Sequence, residues 1–156
     1  DGKILIASGG SQGGAQAIVA AGLNPQVTLV NAGLPALCDL TGQAADRASG
    51  WPIGTRKLSE AEMSAMRYFD VSNFAARTKA TVVVRVGLVD RTCWPAGVLA
   101  MCHRFQGEKH ILTYPLSGHG YSPPEDYTKA NKVFAEVRAA AIAKAAAGTG
   151  EGKAKP

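Results

Sequence analysis

Lys3-Ile4-Leu5-Ile6-Ala7-Ser8-Gly9-Gly10-Ser11-Gln12-Gly13-Gly14 is the stretch whose reading decides the fold. Its apolar run is of strand length and closes at Ser8-Gly9-Gly10, so it reads as a buried strand. An alanine-rich segment with Ile18 and Val19 follows at once and stops at Gly22, with Asn24-Pro25 just beyond. Helix formers followed by Gly and Pro predict a helix over 12–21. The junction reads G-x-S-x-G, from Gly9 to Gly13. In a strand-turn-helix setting that pattern is a nucleophile elbow: a turn so tight that Ser11 sits strained at its apex. Small residues two before and two after it let strand and helix approach. The hydroxyl then stands above the carboxyl edge of the sheet, with the Gln12 N–H aimed where an oxyanion forms. Other glycine motifs fail here. A dinucleotide fingerprint needs glycine where Ser11 stands, and a P-loop needs Lys where Ala15 and Gln16 follow Gly14.

Working outward, three more β-branched or apolar runs predict strands at 27–30, 82–86 and 111–114. Helices are predicted between and after them. Ser59 with Glu62 forms a capping-box pattern opening a helix toward Phe69. Pro95 suits the first turn of a helix running to about Phe105. Glu125 and Asp126, after Pro123-Pro124, suit the start of a last helix over 125–146. Strands alternating with helices predict an α/β fold, a parallel sheet covered on both faces in a three-layer αβα sandwich. Residues 33–58 hold Pro35, Gly42, Gly50, Pro52 and Gly54 and show little periodicity, and a connection that long usually serves a site or an interface. Residues 1–147 read as one folded unit and the glycine-rich stretch 148–156 as a disordered tail.

Composition narrows the class. The 156 residues carry 17 basic and 12 acidic groups, a net +5, and 46% are apolar. That is one domain with enough apolar residues for a core. The basic excess is scattered, and Lys144, Lys153 and Lys155 fall at the end of the chain. Without a Lys/Arg run or interleaved aromatics, no nucleic-acid partner is expected. No apolar stretch reaches the roughly 18 residues of a membrane span, so no membrane partner is expected either. Cys38, Cys93 and Cys102 lack CxxC spacing and indicate neither a disulfide framework nor a zinc knuckle.

An activated serine needs a base and a group to orient it, in chain order Ser, Asp, His on this kind of sheet. Asp90 lies just past the third predicted strand and His119 just past the fourth, between Gly118 and Gly120. The flanking glycines predict a mobile loop presenting the imidazole. Ser11, Asp90 and His119 thus all fall beyond the carboxyl ends of parallel strands, where α/β sheets keep their sites. His103 inside a helix and His110 at a strand start read as structural. No His and carboxylate cluster has metal-ligand spacing, so no metal or other cofactor is expected.

These segments together resemble the acetyl xylan esterase and cephalosporin C deacetylase family of the α/β-hydrolases. The resemblance rests on the Ser11 elbow, Pro35-Ala36-Leu37-Cys38-Asp39, Tyr68-Phe69-Asp70 with Asn73-Phe74-Ala75, and Val86-Gly87-Leu88-Val89-Asp90 with Thr92-Cys93 and Pro95. It implies Ser11 as nucleophile, Asp90 as orienting acid and His119 as general base. The implied activity is that of a serine esterase removing acetyl groups from acetylated carbohydrates. Gly120 stands where the family often has Glu, and Trp94 where proline is common. The resemblance also implies that these four strands are the C-terminal half of a catalytic domain. The preceding half would hold a second oxyanion donor and any signal peptide, so residues 1–156 alone are expected to be inactive and compartment is not readable. A homo-oligomer of the full-length protein stays open. Substrate contacts are expected from the 33–58 stretch, with Pro35 walling a small pocket and Trp51 stacking on a sugar. Two other readings stay open: another α/β-hydrolase, such as a peptidase or longer-chain esterase, and a noncatalytic binding protein on this fold.

Overall fold

The structure is a computed structural model that describes residues 4–147; the predicted tail at 148–156 lies outside them. Four strands, β1 (Leu5–Gly10), β2 (Val27–Gly33), β3 (Thr81–Gly87) and β4 (Lys109–Tyr114), form one sheet in the order β1-β2-β3-β4. Every neighbouring pair is parallel. The connections carry α1 (Gln12–Leu23), α2 (Glu60–Met66), α3 (Val71–Ala75) and α4 (Pro95–Cys102), and α5 (Pro124–Ala147) closes the fold.

β1 and β2 run farther toward their carboxyl ends than the apolar runs suggested. Gly9 pairs with Ala32 and Gly10 with Gly33, so the ladder continues through residues whose composition reads as punctuation. A parallel ladder uses only backbone groups and does not need side chains to extend it. The same tertiary constraint moves the helix ends. α1 continues through Gly22, whose missing Cβ would otherwise sit 2.6 Å from the Phe74 carbonyl oxygen. That glycine is therefore a packing site for α3 rather than a stop, and Asn24 caps the helix with its N–H on the Ala20 carbonyl. The helix opened by Ser59 ends at Met66, short of Phe69, and a separate α3 begins after Asp70, whose carboxylate accepts the Ser72 N–H. α4 ends at Cys102, short of the expected Phe105.

The two faces of the sheet are covered unequally. Val30, Ala32, Val82, Val84 and Val86 join Ile18, Val71, Val98 and Met101 in one buried cluster, so α1, α3 and α4 form the thick layer. Leu29 and Val83 are buried on the other face, where Arg85 lies over the Tyr127 ring of α5, 4.9 Å from its centre. β2 and β3 are central and largely buried. β1 is not the buried strand its composition suggests: it is an edge of this sheet, and Leu5 is 43% exposed. The 33–58 connection contains only a short 3-10 turn, Gly42–Ala45, and is held by buried Asp70, which accepts from the Asp39 and Leu40 N–H groups.

Candidate active site

Ser11 joins β1 to α1 with φ 53° and ψ −121°, a left-handed backbone that a side chain adopts only under constraint. The constraint is visible. The Ser11 N–H donates to the Gly33 carbonyl at 2.8 Å, and the Ser11 carbonyl accepts from the Ala15 and Ala36 N–H groups at 3.1 and 3.0 Å. Close approach falls on Gly9, where a Cβ would collide with the Gly13 carbonyl group. At Gly13 a Cβ would meet nothing within 4 Å, so of the two glycines that flank the serine at two positions only Gly9 is sterically required. Gln12 is the first residue of α1, so its N–H has no preceding helical turn to bond and is available to a ligand oxygen.

Asp90 follows β3 in a tight turn, its own N–H on the Gly87 carbonyl at 3.2 Å. Its buried Oδ1 accepts from the Thr92 and Cys93 N–H groups, each at 2.8 Å. Those two bonds fix the carboxylate and leave Oδ2 to accept from His119 Nδ1 at 3.0 Å. On the other side of the ring, His119 Nε2 lies 2.9 Å from Ser11 Oγ. A carboxylate only accepts, so Nδ1 carries the proton, Nε2 is the free acceptor and the serine hydroxyl donates to it. The three residues found by chain order are thus one continuous hydrogen-bonded relay.

The His119 loop was expected to be mobile, but it is tied at several points. The Gly118 N–H donates to the Tyr121 carbonyl at 2.7 Å and the Val89 N–H to the Ser117 carbonyl at 3.2 Å. Buried Ser117 donates its hydroxyl to Asp126 of α5 at 2.7 Å. Ser117 and Asp126 carry no motif, and sequence gave no sign of their pairing. Beside the imidazole is a shallow depression of about 350 Å³ lined by Val89, Thr92, Leu116, Gly120 and Tyr121 among others. Pro35 and Trp51 are not in that lining. Pro35 packs at the elbow, its Cα 3.4 Å from where a Cβ on Gly14 would stand, and Trp51, 41% exposed, accepts the Leu37 N–H on its carbonyl. His103 caps the end of α4, and His110 pairs with Glu108 at 3.1 Å, both away from the relay.

Sequence spacing does not mark Cys93 as a site residue. Its thiol is pushed up to about 12, chiefly by burial and then by the Asp90 charge, while a hydrogen bond with Ser11 works in the opposite direction. It therefore stays protonated beside the relay. Ligand atoms of Asp90, Cys93 and His119 all lie within 4.8 Å of one another. Sequence spacing suggested no such metal-binding group because His119 reaches it from the next strand.

Comparison with known proteins adds the family. The profile of the acetyl xylan esterase (AXE1) family matches residues 1–136. The acetyl esterase Axe7A of Xylanibacter ruminicola is 36% identical over 132 residues, which is 83% of this chain and 30% of that protein. The acetyl xylan esterase 1 of Thermoanaerobacterium sp. JW/SL YS485 is 30% identical with a TM-score of 0.69, over 86% of this chain and 45% of that one. The acetyl xylan esterase of Paenibacillus sp. R4 is 28% identical with a TM-score of 0.69, over 82% of this chain and 43% of that one. The chain thus spans less than half the length of these relatives. With the α/β-hydrolase fold, the strained serine elbow and a profile match over most of its length, the chain belongs to the acetyl xylan esterase family.

Proposed function

We propose that Ser11, His119 and Asp90 are the catalytic triad of a serine carboxylesterase that removes acetyl groups from acetylated carbohydrates. The observation that carries this reading is the relay itself, Oγ to Nε2 at 2.9 Å and Nδ1 to Oδ2 at 3.0 Å, on a serine of positive φ. Ser11 Oγ attacks the ester carbonyl as His119 Nε2 takes its proton. Asp90 holds the ring and stabilises the imidazolium. The Gln12 N–H, first on α1, is the oxyanion donor on this chain. The imidazolium returns its proton to the departing sugar oxygen, and the acyl-enzyme forms. A water deprotonated by the same nitrogen then releases acetate. In this reading residues 1–147 are part of an α/β-hydrolase catalytic domain. The family resemblance and the three esterase relatives support acetyl over larger acyl groups. Pro35 at the elbow and exposed Trp51 are proposed to meet substrate at the rim.

Two measurements test the reading. In the full-length protein a fluorophosphonate probe is expected to label Ser11 in the wild type and not in Ser11→Ala; equal labelling of both would remove Ser11 from the role of nucleophile. On the full-length protein, kcat/KM is expected to fall from acetyl to butyryl to octanoyl esters of one alcohol. Each added methylene that overpacks a small acyl pocket costs about 1 kcal/mol or more. A maximum at octanoyl, or peptide cleavage exceeding ester cleavage, would overturn the deacetylase reading and leave the triad standing.

A further inference from the structure

We propose that Asp90, Cys93 and His119 also form a binding site for Zn2+, and that the bound ion switches the triad off. The site is built as a compact set of three different donors: a carboxylate oxygen, a thiol sulfur and an imidazole nitrogen, all within 4.8 Å. Asp90 and Cys93 are buried, and His119 is partly exposed and gives access from the depression beside it. A mixed O, N and S set suits Zn2+, while Mg2+ and Ca2+ require oxygen ligands. Zinc bonds of about 2.0–2.3 Å place tetrahedral ligand atoms roughly 3.3–3.7 Å apart. The Asp90 Oδ2 to His119 Nδ1 separation of 3.0 Å needs only slight opening, and the longest gap must close by about 1 Å. The supporting contacts already exist. Asp90 Oδ1 is held by two backbone N–H groups, one of them Cys93's own, so Oδ2 and the thiol are presented from one rigid turn.

The proton accounting connects binding to inhibition. His119 Nδ1 can ligate only after its proton moves to Nε2, and Cys93 releases its thiol proton to solvent. One proton is lost overall, no electrons move, and the Zn2+ charge is balanced by one carboxylate and one thiolate. Nε2, 2.9 Å from Ser11 Oγ, then bears a hydrogen and no longer accepts one. The inhibition half of the proposal rests on the triad reading above; the metal-binding half does not.

The test uses the 156-residue chain with Co2+ as a spectroscopic stand-in for Zn2+. Cobalt is expected to give a thiolate-to-metal charge-transfer band in the near ultraviolet that stoichiometric Zn2+ abolishes. Cys93→Ala and His119→Ala are expected to remove the band, and Ser11→Ala, Cys38→Ala and Cys102→Ala to keep it. His119 is a partly exposed loop residue, so its variant tests the site even if the buried Cys93 variant folds poorly. No band at saturating Co2+, or a band that survives His119→Ala, overturns the metal site. With full-length protein and a fixed ester, chelator-reversible inhibition by Zn2+ is expected. Cys93→Ala should raise the zinc concentration needed by about a hundredfold or more, since loss of even an outer-shell partner costs about tenfold to a hundredfold and Cys93 is a direct ligand. Unchanged zinc sensitivity in Cys93→Ala overturns the switch. If the ester-cleavage reading fails while the cobalt band stands, the metal site survives and only the inhibition falls.

Discussion

At the scale of single residues, the site depends on a strained serine and on what constrains it. Ser11 keeps φ 53° because its N–H and carbonyl are both bonded, so Ser11→Ala is expected to fold normally while losing several orders of magnitude in turnover. His119→Ala should lose a similar amount, and their double variant little more, because the two groups act as a unit. Steady-state ester hydrolysis by the three variants of the full-length protein checks this. The glycines separate cleanly. Gly9→Ala would drive a methyl into the Gly13 carbonyl and should destabilise the elbow by about 1–3 kcal/mol. Gly13→Ala meets open space and should be neutral or slightly stabilising, since Ala is the better helix former. Urea unfolding of the pair decides it, and equal losses would contradict the assignment. Cys93 offers a pH test. Its folded thiol is raised to about 12, so at neutral pH its thiolate fraction is on the order of a thousandfold below that of a free cysteine. Iodoacetamide should therefore label it slowly, with a rate that climbs as pH rises through the alkaline range.

At the scale of elements, two carboxylates hold segments, one exposed and one buried. α2 buries no residue, so its order comes from its cap: the Glu62 N–H on Ser59 Oγ, the Ser59 N–H on Glu62, and Arg56 paired with Glu62 at 2.8 Å. The Ser59 backbone donor, followed by the Arg56 side chain, holds the Glu62 carboxyl at about 2, below the usual carboxylate range. A depressed value means the contribution is complete at neutral pH and is lost as pH falls from the ordinary carboxylate range through about 2. Hydrogen exchange of amides 60–66 is expected to accelerate in Ser59→Ala, by about fivefold for a cap worth roughly 1 kcal/mol, while the global melting temperature barely moves. Asp70 is the buried one of the two. It is 5% exposed and accepts from the Asp39, Leu40 and Ser72 N–H groups, pinning the irregular connection to α3. Asp70→Ala strands those donors and should cost about 3 kcal/mol or more in urea unfolding, with the relay displaced through Ala36 and Ser11.

At the scale of the whole molecule, the sheet of the described residues puts its serine-bearing strand at an edge. β1 bears the serine yet pairs only with β2 among the described residues, and Leu5 is 43% exposed. An open apolar strand edge is a template for pairing with another chain. The 156-residue chain is therefore expected to self-associate with rising concentration. Leu5→Lys should weaken that association without disturbing the elbow, as sedimentation velocity would show; a monodisperse wild-type monomer at high concentration would contradict it. Both flanks of the Ser11–His119–Asp90 relay also belong to the whole. The Asp90 turn and the His119 loop meet through the Val89 and Ser117 bond, and Ser117 is in turn held by Asp126 of α5, so the last helix steadies the loop that carries His119.

The local sequence determined whatever depends on near neighbours: the strand-turn-helix around Ser11, the capping box at Ser59, the proline start of α4, and the order Ser11, Asp90, His119 beyond three strand ends. Steric demands and the hydrogen-bond needs of chain ends are local, so residue types report them directly. Tertiary structure decided what depends on distant partners. It extended β1 and β2 through glycines by parallel pairing, and it carried α1 through Gly22 to make room for α3. It split the Tyr68 to Ala75 segment at buried Asp70, and it fixed with long-range bonds a His119 loop whose glycines suggest mobility. It also brought Cys93 beside the relay. Such contacts join residues tens of positions apart, and no residue type announces a partner that only the closed sheet brings within reach.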